Sequence, residues 1–236
     1  MKIYEILALK FMKNFLKISH LPLVIGLGVA LAGCASVSVK NLDAGGSSFP
    51  PAMKPDVIYV LPFDTDSGKF NVDREGAELV AFKQNLQQML SAALTAEIPE
   101  HLVPAKAVNS IPHQSNAWLI CGKFVRVNQG SRLLRSTVGF GAGGTKMETQ
   151  VFVYNLADNS TAPFLTFETT GGSGASPGMV SADPVGLAVG AVGAAANGVS
   201  DDTKLTSRMI TATLSDYMYN HGWISKEQRL NPKMSE

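Results

Sequence analysis

Cysteine is scarce: Cys34 and Cys121 are the only two in 236 residues. A stapled disulfide framework and a four-cysteine zinc site are therefore excluded. Histidine is nearly as thin, at His20, His101, His113 and His221. None of them stands at ligand-type spacing from another candidate ligand, so no metal site is expected. No serine sits in a GxSxG elbow, and no catalytic group or cofactor emerges, so the chain reads as a non-enzyme. An excess of one charge is missing too, with 20 basic and 19 acidic residues. Residues 1–33 carry four lysines and one glutamate; without them the remainder has 16 basic and 18 acidic residues, a net of −2. That balance offers no strongly basic face, and nucleic acid is not an expected partner. Finally, the uncharged apolar run at residues 21–32 has 12 residues, short of the roughly 20 that a spanning helix needs.

That short run has its own meaning. Lys2, Lys10, Lys13 and Lys17 against Glu5 precede it, and Gly33-Cys34 follows it. A basic region, an apolar core and a small-residue exit form the layout of a secretory signal. Met12 opens a second basic stretch and is an alternative start to Met1. Leu31-Ala32-Gly33-Cys34 resembles the lipobox of bacterial lipoprotein precursors. The resemblance implies that Leu31, Ala32 and Gly33 guide the signal peptidase, that residues 1–33 are removed, and that Cys34 carries a diacylglycerol and a third acyl chain. Two or more chains hold a protein to a bilayer almost irreversibly. Ala35 rather than Asp at the next position implies, by the sorting rule of enteric bacteria, an outer-membrane anchor with the domain facing the periplasm. Inner-membrane retention, an uncleaved anchor and plain secretion are the alternatives. Residues 34–55, with Gly45, Gly46, Ser47, Ser48, Pro50, Pro51 and Pro55, read as a lipidated start and a flexible tether.

From Asp56 the pattern becomes that of a folded domain, expected over residues 56–225, with a polar tail at 226–236. Residues 57–61 (VIYVL) suit a strand closed by Pro62. Asp73 offers a helix cap, and Leu79, Phe82, Leu86, Met89 or Leu90, and Ala93 or Leu94 form one apolar stripe of a helix ending before Pro99. Residues 99–116 read as mostly irregular. Residues 117–127 make a strand with Leu119, Cys121, Val125 and Val127 on one face; 128–131 turn it back into a strand at 132–138. Two more strands are expected at 147–156 and 164–169. After Asp201-Asp202, Leu205, Met209 or Ile210, Leu214 and Tyr217 repeat at helical spacing, stopped by Gly222 with Trp223 and Ile224 folded back. The expected fold is α+β: one domain with a mostly antiparallel sheet of four to five strands and two longer helices packed on it.

The run from Cys121 to Ser131 (CGKFVRVNQGS), then Arg135 and residues 138–143 (VGFGAG), resembles the lipoproteins classed as domain of unknown function 4410. Phe167, Gly171 to Gly174, and Pro177-Gly178 fit the same pattern. The resemblance covers roughly residues 56–222. It implies location and fold and carries no activity. More loosely, the order of strand, long helix and strand is similar to envelope lipoproteins of the curli-secretion and peptidoglycan-synthase-activator kind.

Two glycine-rich segments remain. Residues 139–144 satisfy the letters GxGxxG, but a strand rather than a helix follows, which leaves no helix N-terminus for a pyrophosphate. Gly139, Phe140, Gly141, Gly143 and Gly144 are instead a candidate partner-contact loop. Arg132 and Arg135 precede it, but strand spacing points them to opposite faces. Gly186 and Gly190, in the run 184–196, have the spacing of close-packed helices; self-association, membrane contact and simple packing stay open. The chain thus reads as a membrane-anchored, non-enzymatic periplasmic interaction domain for envelope assembly or upkeep, with an envelope protein as partner. A subunit or regulator of a secretion or pore assembly, and a binder of a small ligand or peptidoglycan, are the rival readings.

Overall fold

The computed structural model describes residues 36–45, 50–113, 116–129, 145–158, 162–172 and 196–235. The chain divides at Gly33/Cys34, and every described residue belongs to the unit Cys34–Glu236. In chain order the elements are β1 (Ser36–Asp43), β2 (Val57–Val60), β3 (Lys69–Asn71), α1 (Gly76–His101), β4 (Ala105–Ala107) and β5 (Ala117–Asn128). They continue with β6 (Lys146–Asn155), a 3-10 turn (Leu156–Asp158), β7 (Leu165–Gly172) and α2 (Ala196–Asn220). The domain is α+β, with two long helices. None of the described helices is long and apolar enough to cross a membrane.

The sheet corrects the expectation of four to five mostly antiparallel strands. Among the described residues it has seven, ordered β1-β7-β6-β5-β2-β4, with β3 also on β5. The half from β1 to β5 is antiparallel, whereas β2 runs parallel to both β4 and β5, and β3 parallel to β5. The cause is α1. A helix that carries the chain from one strand to a neighbour in the same sheet crosses over and returns it in the same direction.

Alternation along the strands sets two faces. On one, Val37, Val39, Ile58, Val60, Trp118, Ile120, Phe124, Val127, Met147, Val151, Val153, Leu165 and Phe167 are all buried. Leu86, Leu90, Leu94 and Ile98 of α1 and Ile210, Leu214, Tyr217 and Met218 of α2 belong to the same core. Fully burying side chains of this kind stabilises by about 1.5–3 kcal/mol each. The register allows one close approach. A Cβ on Gly122 would lie 2.2 Å from the Gln150 carbonyl oxygen and 2.6 Å from the Phe63 ring, so only glycine lets Phe63 lie down on β5. Residue 210 opens six consecutive buried positions in α2, 210–215, and six in a row cover every side of a helix. The amphipathic stripe read from the sequence is therefore one side of an enclosed helix. Its end is as expected. Gly222 has φ +72°, and the N–H groups of Gly222 and Trp223 donate to the carbonyls of Tyr219 (2.9 Å) and Met218 (3.0 Å), a Schellman closure.

Six local expectations are corrected. Residues 36–43 are not tether but strand β1, with Val37 and Val39 buried; their apolar–polar alternation gives the sheet an edge. Of the polar tail expected at 226–236 outside the domain, residues 226–235 are tied to it. Arg229 pairs with Asp216 at 2.6 Å, Leu230 N–H donates to Ser215 Oγ at 2.8 Å, and Val39 exchanges backbone bonds with Lys233 (2.6 Å) and Ser235 (2.8 Å). Asp73 does not cap α1: the N-cap is Glu75, without a side-chain bond, while Arg74 bonds Gln129 and stacks over Phe82. Pro99 lies inside the helix, which continues because a missing N–H in the last turn costs one bond while Ile98, Leu102 and Val103 are buried. Within 99–116, β4 forms beside β2. In addition, an irregularity between Phe124 and Arg126 shifts the alternation of β5. Val127 thereby joins Trp118 and Ile120 in the helix-side core, apart from Leu119, and Val125 is exposed. The strand expected at 132–138 lies outside the described residues; β5 pairs directly with β6.

Candidate functional site

The second face of the sheet carries residues of neither helix in its apolar cluster, and it changes character along the strands. At the end where β5 begins, Val57, Tyr59, Ala117 and Leu119 are buried together, joined by Leu61, Val108, Tyr154 and Leu156. The next row pairs Cys121 with Phe152, both half-buried. Beyond it the face turns polar, because register stacks Lys123, Gln150 and Glu168 across three strands and places Lys40 of β1 opposite Glu168.

Two carboxylates organise this polar half. Lys40 Nζ lies 3.3 Å from Glu168 Oε2. Glu148 takes Lys146 Nζ at 2.8 Å on Oε1 and Arg126 Nε at 3.6 Å on Oε2, and Thr170 Oγ1 donates to it at 3.3 Å. Burial pushes the Glu148 carboxyl up, yet the hydrogen bond and charge of Lys146, with Arg126 and Lys40, outweigh this and hold it below the usual glutamate value. Both acids are matched by cations, which suits a polar contact surface better than proton transfer. The thiol of Cys121 is pushed up by burial alone, which makes it a poor nucleophile. Burial, and then the neighbouring Cys121, raise Tyr154.

The other conspicuous group is aromatic and lies on the helix side, where β5 begins. Trp118 packs against Phe164 (4.8 Å), Tyr217 (5.8 Å) and Trp223 (6.0 Å), and His221 stacks on Tyr217 at 4.1 Å. Burial lifts the Tyr217 hydroxyl to about 12; the residue is 6% exposed, and its hydroxyl has no hydrogen-bond partner among the described residues. His221 also bonds the Tyr217 carbonyl at 2.8 Å, so this histidine serves the helix end. His101 sits 3.8 Å from Glu97. Among the described residues no group of three or more His, Cys, Asp or Glu is placed to hold a metal ion.

The residues singled out from the sequence fall mostly beyond this description. Leu31, Ala32, Gly33 and Cys34, the loop Gly139, Phe140, Gly141, Gly143 and Gly144, Arg132 and Arg135, and the run 184–195 all lie outside the described residues. Their flanks are described. The chain leaves β5 at Gln129 and returns at Thr145, both buried, and it leaves β7 at Gly172. A Cβ on Gly172 would fall 1.8 Å from the Thr145 carbonyl oxygen. The stems of the two glycine-rich segments therefore meet backbone to backbone. Because Ser36 is registered with Gly172, β1 begins at that same end of the sheet, two positions after Cys34. Sequence reasoning missed both the strand and the Glu148 cluster. Alternation of Val37 and Val39 with Ser36, Ser38 and Lys40 was the available signal for the first.

Among the described residues, a seven-stranded mixed sheet under two helices, with a polar ladder on its second face, defines a small α+β domain. The family model of the domain of unknown function DUF4410 matches residues 37–190, and the chain belongs to that family. The match begins within β1 and stops before α2. No curated protein matches the chain. Among solved structures, a point variant of the PelC dodecamer from Paraburkholderia phytofirmans is 10% identical, covering 72% of this chain and 97% of that one at a TM-score of 0.32. A second PelC dodecamer structure from the same organism has the same identity and TM-score, with 90% of that chain covered.

Proposed function

We propose that the mature chain begins at an acylated Cys34 and acts, without catalysis, as a membrane-anchored contact domain of the bacterial envelope, facing the periplasm from the outer membrane. One observation carries the anchor. The lipobox Leu31-Ala32-Gly33-Cys34 ends two residues before Ser36, the first residue of β1, so the expected cut would leave every described strand and helix in the mature chain. A thiol at that place is needed for diacylglycerol transfer, and small residues before it give the peptidase access.

The contact role is supported by the second face of the sheet. Its two acids are each matched by cations (Lys40 with Glu168; Lys146 and Arg126 with Glu148), and the half-buried Cys121 and Phe152 lie in the row beside them. Paired rim charges beside apolar surface are the ordinary make-up of a protein–protein contact. An envelope protein is the partner this surface fits. The test is Cys34→Ser in cells. Loss of acyl labelling and release from the membrane fraction is the expected result, and a mature protein with an unmodified first residue, or one retaining residues 1–33, refutes the anchor. Photo-cross-linkers at Gln150 and Thr166 on the second face of the sheet are expected to capture one envelope protein in the wild type. Capture of glycan or lipid alone would refute the protein-contact role.

A further inference from the structure

We propose that the end of the sheet at which β1 begins is the membrane-facing surface of the domain, held against phospholipid headgroups by a two-residue leash. This rests on the acylation of Cys34 and goes beyond it, because an anchor alone leaves orientation free. In the proposed mature chain only Cys34 and Ala35 precede Ser36, the first residue of β1. Two residues span at most about 7 Å. From Ser36 onward the chain is fixed: Ser36, Val37, Ser38 and Val39 pair in sequence with Gly172, Gly171, Thr170 and Thr169. Val37 and Val39 are buried against the core, and Lys233 and Ser235 bond the outer edge of β1 at Val39. The leash thus keeps the start of β1 within about 7 Å of the anchored residue.

Register states which residues share this end. Gly171 and Met147 are paired, as are Asn128 and Lys146, and Asn128 and Asn71. Asn71, Lys69 and Lys146 are exposed; Lys69 offers its amine to phosphate oxygens, while the Lys146 amine is held by Glu148. At the opposite end lie Trp118, paired with Asn155, and the exposed Ala157. β5 runs 12 residues between the two ends, about 35 Å at strand rise. One end thus sits at the headgroups and the other projects well clear of them.

The experiment uses the full-length lipidated protein, purified from membranes and reconstituted into phosphatidylethanolamine/phosphatidylglycerol vesicles that contain headgroup nitroxide-labelled lipid. In a Cys121→Ser background, a fluorophore is placed at Asn71→Cys or at Ala157→Cys. Several-fold stronger contact quenching at position 71 than at 157 is expected. A flexible Gly/Ser insertion between Ala35 and Ser36 is expected to abolish the difference. Equal quenching at both positions without the insertion overturns the orientation while leaving the anchor intact. Mass spectrometry of the amino-terminal peptide separates the two ideas, since a bare Cys34 overturns both.

Discussion

Replacing Val39 with alanine distinguishes a strand at 36–43 from a tether, and the structure sets the size of the effect. Val39 is 0% exposed and belongs to the main core. Removing its two methyl groups forfeits about 1.6 kcal/mol at roughly 0.8 kcal/mol per buried carbon. Incomplete collapse of the gap adds to this, for a total of about 2 kcal/mol. The control lies three residues on in the same strand: Leu42 is 40% exposed, and Leu42→Ala should cost under about 0.5 kcal/mol. Urea unfolding of the mature chain in a Cys34→Ser background reads both. Trp118 and Trp223, 6.0 Å apart in one aromatic cluster, report the transition by fluorescence. With a slope of about 2 kcal/mol per molar urea, Val39→Ala should lower the midpoint by about 1 M and Leu42→Ala by no more than about a quarter of that. A Val39→Ala midpoint that moves no further than that of Leu42→Ala would refute the integration of β1 and restore a free tether from Cys34 to residue 55.

Other outcomes follow from the same contacts. Truncation after Pro232 removes the backbone partners of Val39 at Lys233 and Ser235 and should destabilise by about 1–2 kcal/mol in the same urea assay. Its effect should be non-additive with Val39→Ala, because the two share one residue. Gly222→Ala forces a side chain onto a backbone at φ +72° and should cost about 1 kcal/mol, read as a lower thermal midpoint. Glu148 has a folded pKa below its usual value. Its contribution is therefore present above the unfolded value and lost as pH falls through the folded one, so Glu148→Gln should flatten the acid limb of a stability–pH curve and leave its slope unchanged at alkaline pH. Cys121, with its thiol pushed up by burial, should alkylate slowly with iodoacetamide in the folded chain and readily in urea; equal rates would place it on an open surface.

What could be read from the sequence was whatever is local. The α1 stripe through Leu86, Leu90 and Leu94, the strands around Met147 and Phe167, and the stop at Gly222 each depend on residues within one or two turns of each other. The sheet's parallel half was hidden because β3 and β4 have three residues each, too few to show a period. The direction of β2 follows from the crossover through α1, not from any residue within β2. β1 was obscured by its company: the Gly, Ser and Pro residues between 45 and 55 gave the whole segment the look of a linker, and its partner strand lies more than a hundred residues away. The polar face had the same defect. Glu148 becomes a charge cluster only when register brings Arg126 and Thr170 beside it, and register is a property of the folded sheet. Nor did the polar composition of 226–235 announce a structural role, which depends on Asp216 and Ser215 on a helix already in place.

These two misread segments belong together. An edge strand exposes a row of unpaired backbone groups and invites pairing with a second chain. Here β1 is that edge, and the C-terminal residues cover it at Val39, held there by the Arg229–Asp216 pair on α2. The first strand of the domain is thus gripped on one side by β7 and on the other by the end of the chain. If Cys34 carries acyl chains, every force between membrane and domain enters through β1. The clasp at 233–235, which lies beyond the stretch matched by the family, then decides whether that strand can peel. An anchored domain with such a clasp transmits its attachment to the whole sheet rather than to a loose linker, and this is what a fixed orientation at the bilayer requires.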